Sequence, residues 1–132
     1  MPPERILVVE DDPDLQTNLR ELLEGEGYGV DSAFNGREAL SFLRAGHRPT
    51  AILLDLMMPV MNGYEFLAAL RGERAVDTPA STFMAIPTIL VSAAPDNEQT
   101  SVRLQLRLVR KPFDIDVLLG TIKEAIGSSG AN

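Results

Sequence analysis

Ala51-Ile52-Leu53-Leu54-Asp55-Leu56-Met57-Met58-Pro59 decides the fold of this 132-residue chain. Four apolar residues run into one carboxylate, and a turn follows at once. A run that short and that apolar reads as a strand buried on both faces. Asp55 stands where the strand stops. In a parallel α/β sheet, ligands bind beyond the carboxyl ends of the strands. Asp55 alone could simply cap the following turn, so its role depends on what the other strand ends supply.

Working outward, the flanks alternate strand and helix. Arg5-Ile6-Leu7-Val8-Val9 is a β-branched, apolar first strand that ends in Glu10-Asp11-Asp12-Pro13-Asp14. Asp12 suits an N-cap with Pro13 at the first helical position. Leu15, Leu19, Leu22 and Leu23 share one helical face, closed by Gly25 and Gly27. Tyr28 to Phe34 reads as a second strand. Asn35-Gly36 opens a short helix carrying Ala39, Leu40 and Leu43, closed by Gly46. After Asp55, Pro59 and Asn62-Gly63 mark a loop. A third helix places Phe66, Leu67 and Leu70 inward, and residues 73 to 86 form a long connection without a clear period. Pro87 to Ser92 is a fourth strand, Gln99 to Gln105 a weakly specified helix, and Leu106, Leu108 and Val109 a fifth strand. Asp114 caps a last helix with Ile115, Leu118, Leu119, Ile122 and Ile126 inward; residues 127–132 read as a flexible tail or linker. Five β-α repeats predict a parallel sheet with helices on both faces, joined by right-handed crossovers, and one domain over residues 1–126.

Composition narrows the chemistry. At 45% hydrophobic the chain can build a core. It has no cysteine, which removes disulfides, thiolate nucleophiles and zinc-thiolate sites. No apolar run approaches the ~20 residues of a membrane span, and Met1 to Arg5 lacks a signal-peptide core. The expected setting is the cytoplasm, without membrane contact. A net charge of −7 disfavours direct nucleic-acid binding.

The strand ends carry the chemistry. Strand 1 ends in Glu10 and Asp11, strand 3 in Asp55, strand 4 in Ser92 and strand 5 in Lys111. A parallel sheet sets all of them along one edge. Three carboxylates repel, so a proton or a cation must neutralise them. Hard oxygen ligands suit Mg²⁺, and a lysine with a hydroxyl can hold the oxygens of a phosphoryl group. Phosphoryl transfer asks for positioning and charge neutralisation above all. Asp55 is then a nucleophile that becomes an acyl phosphate.

This ordered set, Glu10-Asp11, Asp55-Leu56-Met57-Met58-Pro59 with Asn62-Gly63, Ser92-Ala93 and Lys111-Pro112-Phe113, resembles the receiver domain of two-component response regulators over about residues 4 to 126. The resemblance implies a flavodoxin-like, doubly wound (βα)5 fold with a five-stranded parallel sheet in the order 2-1-3-4-5. It implies Mg²⁺-dependent phosphorylation of Asp55 from the phosphohistidine of a sensor histidine kinase or phosphotransfer protein. Asp11 and Asp55 would bind the metal directly and Glu10 through water, with the Met57 backbone carbonyl completing the protein ligands. Ser92 would reach the phosphoryl oxygens, and Lys111, joined to Pro112 by a cis bond, would pair with the phosphate. Output would pass through the face of the fourth helix, fifth strand and fifth helix to a downstream protein or effector domain, a face that also allows a dimer. The chain would catalyse only its own phosphorylation and dephosphorylation.

The sequence departs from that family's pattern in places. The switch position on strand 5, usually aromatic, is Leu108. The Ser92–Lys111 span is shorter than usual and the Asp55–Ser92 span longer, the excess lying in residues 73–86. Met57 and Ala94, two residues after Asp55 and Ser92, cannot hydrogen-bond a hydrolytic water strongly, which predicts a long-lived phosphoryl group. Read alone, Glu10 and Asp11 are also ordinary acids at a helix start, and Met57, Met58 and Met61 could be a partner-facing patch rather than packing. His47, the only histidine, lies in a predicted loop. A haloacid-dehalogenase-type hydrolase would need a second acid where Met57 stands. Flavodoxin would need a hydroxyl- and glycine-rich phosphate loop where Glu10 and Asp11 stand. The remaining rival is a receiver-like interaction module with phosphorylation-independent output.

Overall fold

Apolar, β-branched runs favour extended backbone, and here they form β1 (Arg5–Val9), β2 (Gly29–Ala33), β3 (Ala51–Asp55), β4 (Thr88–Ser92) and β5 (Arg107–Arg110). All neighbours pair in parallel, as the β-α alternation predicts, in the order β2-β1-β3-β4-β5 that the family resemblance implies. The structure, a computed structural model, describes residues 4–55, 86–92, 107–111 and 113–130. Three helices fall within them: α1 (Pro13–Gly25), α2 (Gly36–Arg44) and α3 (Ile115–Gly130). α3 is the helix that the sequence counts fifth. The helices expected within 64–72 and 99–105, the connection at 73–85, and Met57 and Pro112 lie outside the described residues.

Strand alternation sends side chains to two faces. Leu7, Val9, Ile52, Leu54 and Leu90 meet Ala39, Leu40 and Leu43 of α2. Ile6, Val8, Leu53, Ile89 and Val91 meet Leu19 and Leu23 of α1 and Leu118, Ile122 and Ala125 of α3. β3 and β4 are buried at all five positions, whereas the edge strands β2 and β5 are not. β3 and β4 are therefore the rigid floor of the sheet edge where Asp55 and Ser92 stand. Ile86, read as the end of the long connection, is buried against the α2-side core.

The helices begin and end where their signals stand. Asp12 caps α1, its side chain accepting from the N–H groups of Asp14 and Leu15, with Pro13 at the start. Asn35 caps α2 by accepting from Glu38 N–H, and the Glu38 carboxylate accepts from Phe34 N–H at 2.8 Å. Asp114 accepts from Asp116 N–H at 2.8 Å to open α3. Gly27 (φ 93°) and Gly46 (φ 105°) take the left-handed conformation that lets the chain leave α1 and α2.

Two details differ from the sequence reading. Ile115, expected inward, is 51% exposed. It belongs to the first turn of α3, whose side chains tilt toward the helix N-terminus and past the sheet. There it lines a groove of about 600 Å³ with Phe113, Leu15 and Leu22. α3 also continues past Ile126 to Gly130. Glycine and serine cost helix stability but, unlike proline, keep every backbone donor.

Candidate functional site

The register of the sheet builds the site. Val9 pairs with Leu54 and Asp55 with Val91, so β1 and β3 deliver Glu10 and Asp55 to one edge. On the far side Ser92 pairs with Arg110, and Lys111 N–H donates to Ser92 C=O at 3.0 Å. That bond extends the β4–β5 ladder by one residue and lifts Lys111 onto the same edge. Oxygens of Glu10, Asp11 and Asp55 all lie within 4.8 Å of one another.

Lys111 Nζ donates to Glu10 Oε1 at 2.7 Å and to Asp55 Oδ2 at 3.3 Å. Both acid side chains are nearly sealed from solvent, at 4% and 5% exposure, and the lysine side chain is at 24%. Burial draws the Lys111 ammonium down. The Glu10 hydrogen bond and the charges of Asp55 and Glu10 outweigh it and leave the pKa above the usual lysine value. Asp11 is held above the ordinary carboxylate range, first by burial, then by its hydrogen bond with Glu10 and the charge of that neighbour. Three carboxyl groups thus face a single ammonium, and the cluster is rich in oxygen donors and poor in positive charge. A divalent cation on oxygen ligands fits this donor set and this charge.

The other expected residues fall as follows. Ser92 is 1% exposed at the end of β4. Leu108 pairs with Leu90 and is partly buried, packed against the α2-side core. Asp12 is the cap of α1, as expected. Met57 and the Lys111–Pro112 bond lie outside the described residues. His47 lies between α2 and β3, at the opposite sheet edge from the acids, stacked on Phe42 with ring centroids 4.3 Å apart.

Gln16 is the residue near the site that sequence reading misses. It is 3% exposed. Its Nε2 donates to Val8 C=O at 2.8 Å, Ala33 C=O at 2.9 Å and Glu10 C=O at 3.2 Å, joining α1 to the ends of β1 and β2. The available signal was position: Gln16 precedes the buried Leu19 and Leu23 by three and seven residues, on their stripe.

A family model described as the response regulator receiver domain matches residues 6–123. Response regulator MprA of Mycolicibacterium vanbaalenii is 35% identical over 124 residues, covering 92% of this chain and 49% of its own length. The DNA-binding response regulator MtrA of Mycolicibacterium smegmatis is 33% identical over 123 residues, 91% of this chain and 49% of its own. The chain thus spans about half the length of these curated relatives. The signal receiver domain of a histidine kinase from Syntrophus aciditrophicus superposes with a TM-score of 0.80 at 30% identity, covering 98% of this chain and 94% of that one. The receiver domain of the sensor histidine kinase PA1611 from Pseudomonas aeruginosa, solved with a magnesium ion coordinated in its active-site cleft, gives 0.77 at 27% identity, covering 95% and 98%.

Proposed function

This chain belongs to the response regulator receiver domain family, and from that premise we propose that it is a switch operated by phosphorylation of Asp55. The observation that carries the proposal is the Asp55 carboxylate held against Lys111 beside Glu10 and Asp11. A carboxylate oxygen of Asp55 attacks the phosphorus of a phosphohistidine on a sensor kinase or phosphotransfer protein. The P–N bond breaks, and the imidazole nitrogen leaves and takes up a proton. Lys111 exchanges its carboxylate partners for the new phosphoryl oxygens, and Ser92 donates its hydroxyl to another. Glu10, Asp11, Asp55 and the Met57 carbonyl would hold Mg²⁺, which when bound neutralises charge on the transferring group.

The acyl phosphate adds about −1.5 to −2 charge, by analogy with side-chain phosphates. Drawing Ser92 and Lys111 toward it shifts a two-state equilibrium. The face of the fourth helix, β5 and α3 then engages a partner, a second copy or an attached effector domain. The acidic chain itself is not the nucleic-acid reader. One relative, MtrA, is named as DNA-binding, and this chain spans about half of its length. Among the described residues no helix is long and apolar enough to cross a membrane, and we place the chain in the cytoplasm, with residues 1–126 as the receiver unit. Leu108, packed inward with no polar edge, favours a second reading in which output does not follow the usual hydroxyl–aromatic coupling.

Intact mass after incubation with acetyl phosphate tests the chemistry. One phosphoryl group should be added to the wild type with Mg²⁺, and none without Mg²⁺ or in Asp55→Asn. No adduct, under conditions that label a control receiver, would leave only a contact module.

A further inference from the structure

Glu10 is held from every side. Its N–H donates to Ala33 C=O at 3.0 Å, its Oε1 accepts from Lys111, and its Oε2 accepts from Asp12 N–H at 3.2 Å. The remaining polar group, its main-chain carbonyl, is met by Gln16 Nε2 at 3.2 Å. The same amide nitrogen reaches Val8 C=O two residues earlier and Ala33 C=O on β2. Gln16 therefore clamps the point where β1 leaves the sheet and turns toward α1, which is the point that aims Glu10 and Asp11.

An amide is a costly way to fill this position for stability alone. Among the described residues the buried Gln16 Oε1 meets no hydrogen-bond donor, and an unmet buried acceptor carries a desolvation penalty. A methionine or leucine would fill the same stripe beside Leu19 and Leu23 without an orphan acceptor. What the amide supplies instead is direction. Three carbonyls at the adjoining ends of β1 and β2 are tied to one amide nitrogen; one belongs to Glu10, and another, that of Ala33, also accepts from Glu10 N–H. Groups that orient the ligands of a metal commonly change its affinity by 10- to 100-fold when removed.

We propose that Gln16 is a positioning residue for the cation site: by fixing the β1 terminus it pre-orients the carboxylates of Glu10 and Asp11 that hold Mg²⁺. The proposal rests on the reading of the site as Mg²⁺-binding. Gln16→Met keeps length and bulk and removes the donor. Leu23→Ala, on the same helix but away from the acids and destabilising through a core cavity, supplies a control for lost stability. Isothermal calorimetry should show Mg²⁺ binding weakened about 10-fold in Gln16→Met and unchanged in Leu23→Ala, in protein that far-UV circular dichroism shows to be folded. At saturating Mg²⁺, acetyl phosphate should still label Asp55 in Gln16→Met.

Equal Mg²⁺ affinity in Gln16→Met and wild type would overturn the proposal while leaving the phosphorylation reading intact. Absence of Mg²⁺ binding in the wild type would remove both. Equal weakening in Gln16→Met and Leu23→Ala would assign the glutamine to general stability. If Gln16→Met does not fold, Gln16→Leu, which fills the stripe without a donor, takes its place. Failure of both to fold would also assign Gln16 to the fold.

Discussion

Removing Lys111 should expose what it balances. Lys111→Met keeps the stem and leaves Glu10 and Asp55, both nearly sealed, without their ammonium. Breaking a buried pair costs roughly 3–5 kcal/mol, and the lysine's partial exposure lowers this to about 2–3 kcal/mol. Urea unfolding in Mg²⁺-free buffer should show that loss, with added Mg²⁺ recovering part of it; an unchanged midpoint would mean that the ammonium contributes nothing. Asp11 carries the opposite sign. Its pKa is raised in the folded protein, so the metal-free fold holds that proton more tightly than the unfolded chain does. The resulting stability is present below the ordinary carboxylate range and is lost as pH rises through the raised value. Asp11→Asn should therefore melt higher than the wild type at pH 7 in EDTA, by a few degrees. The gap should narrow toward pH 4, and a lower melting point at pH 7 would refute the assignment. That Glu10, Asp11, Asp55 and Lys111 share one sheet edge was legible because each stands at or just past the end of a strand. Gln16 was not, because a search for apolar periodicity passes over a polar residue on the buried stripe.

Helix starts show how much a short sequence signal can fix. Asp12 stands next to the acid pair, yet its carboxylate accepts from two N–H groups of α1. If capping is its whole role, Asp12→Asn should keep both stability and Mg²⁺ affinity. Asp12→Ala should lose about 1 kcal/mol of stability with its Mg²⁺ affinity unchanged. Thermal unfolding and calorimetry on the pair decide this, and a tenfold weaker Mg²⁺ complex in Asp12→Asn would make the residue a ligand. The strands were legible from runs such as Ala51–Leu54 because apolar side chains on both faces demand cover on both faces. Ile115 was not, since helical spacing gives a stripe but not the point at which a helix overhangs its sheet. The same limit let a glycine and two serines suggest a tail where the main chain continues α3.

At the scale of the whole molecule, sequence alternation gives five parallel strands, while their spatial order came from family resemblance and is met by the ladder β2-β1-β3-β4-β5. That order puts β1 and β3 side by side at the centre and makes the acids neighbours. Ligand binding should then register in the stability of the entire domain. Mg²⁺ at ten times its dissociation constant should add about 1.4 kcal/mol to the unfolding free energy. Calorimetric scans should show the rise, its reversal by EDTA and its absence in Asp11→Asn; a rise that persists in Asp11→Asn would place the bound ion elsewhere. One feature of the site also bears on how the protein is made. Lys111 meets Glu10 across 101 residues of chain and Asp55 across 56. Synthesis at roughly 5–20 residues per second leaves on the order of 5–20 s between Glu10 and Lys111. During that interval the emerging chain carries its acids without their ammonium. Docking of β5 is thus the step that brings the counter-charge to the acids, and a nascent chain on the ribosome lacks the ammonium that the folded domain sets against Glu10 and Asp55.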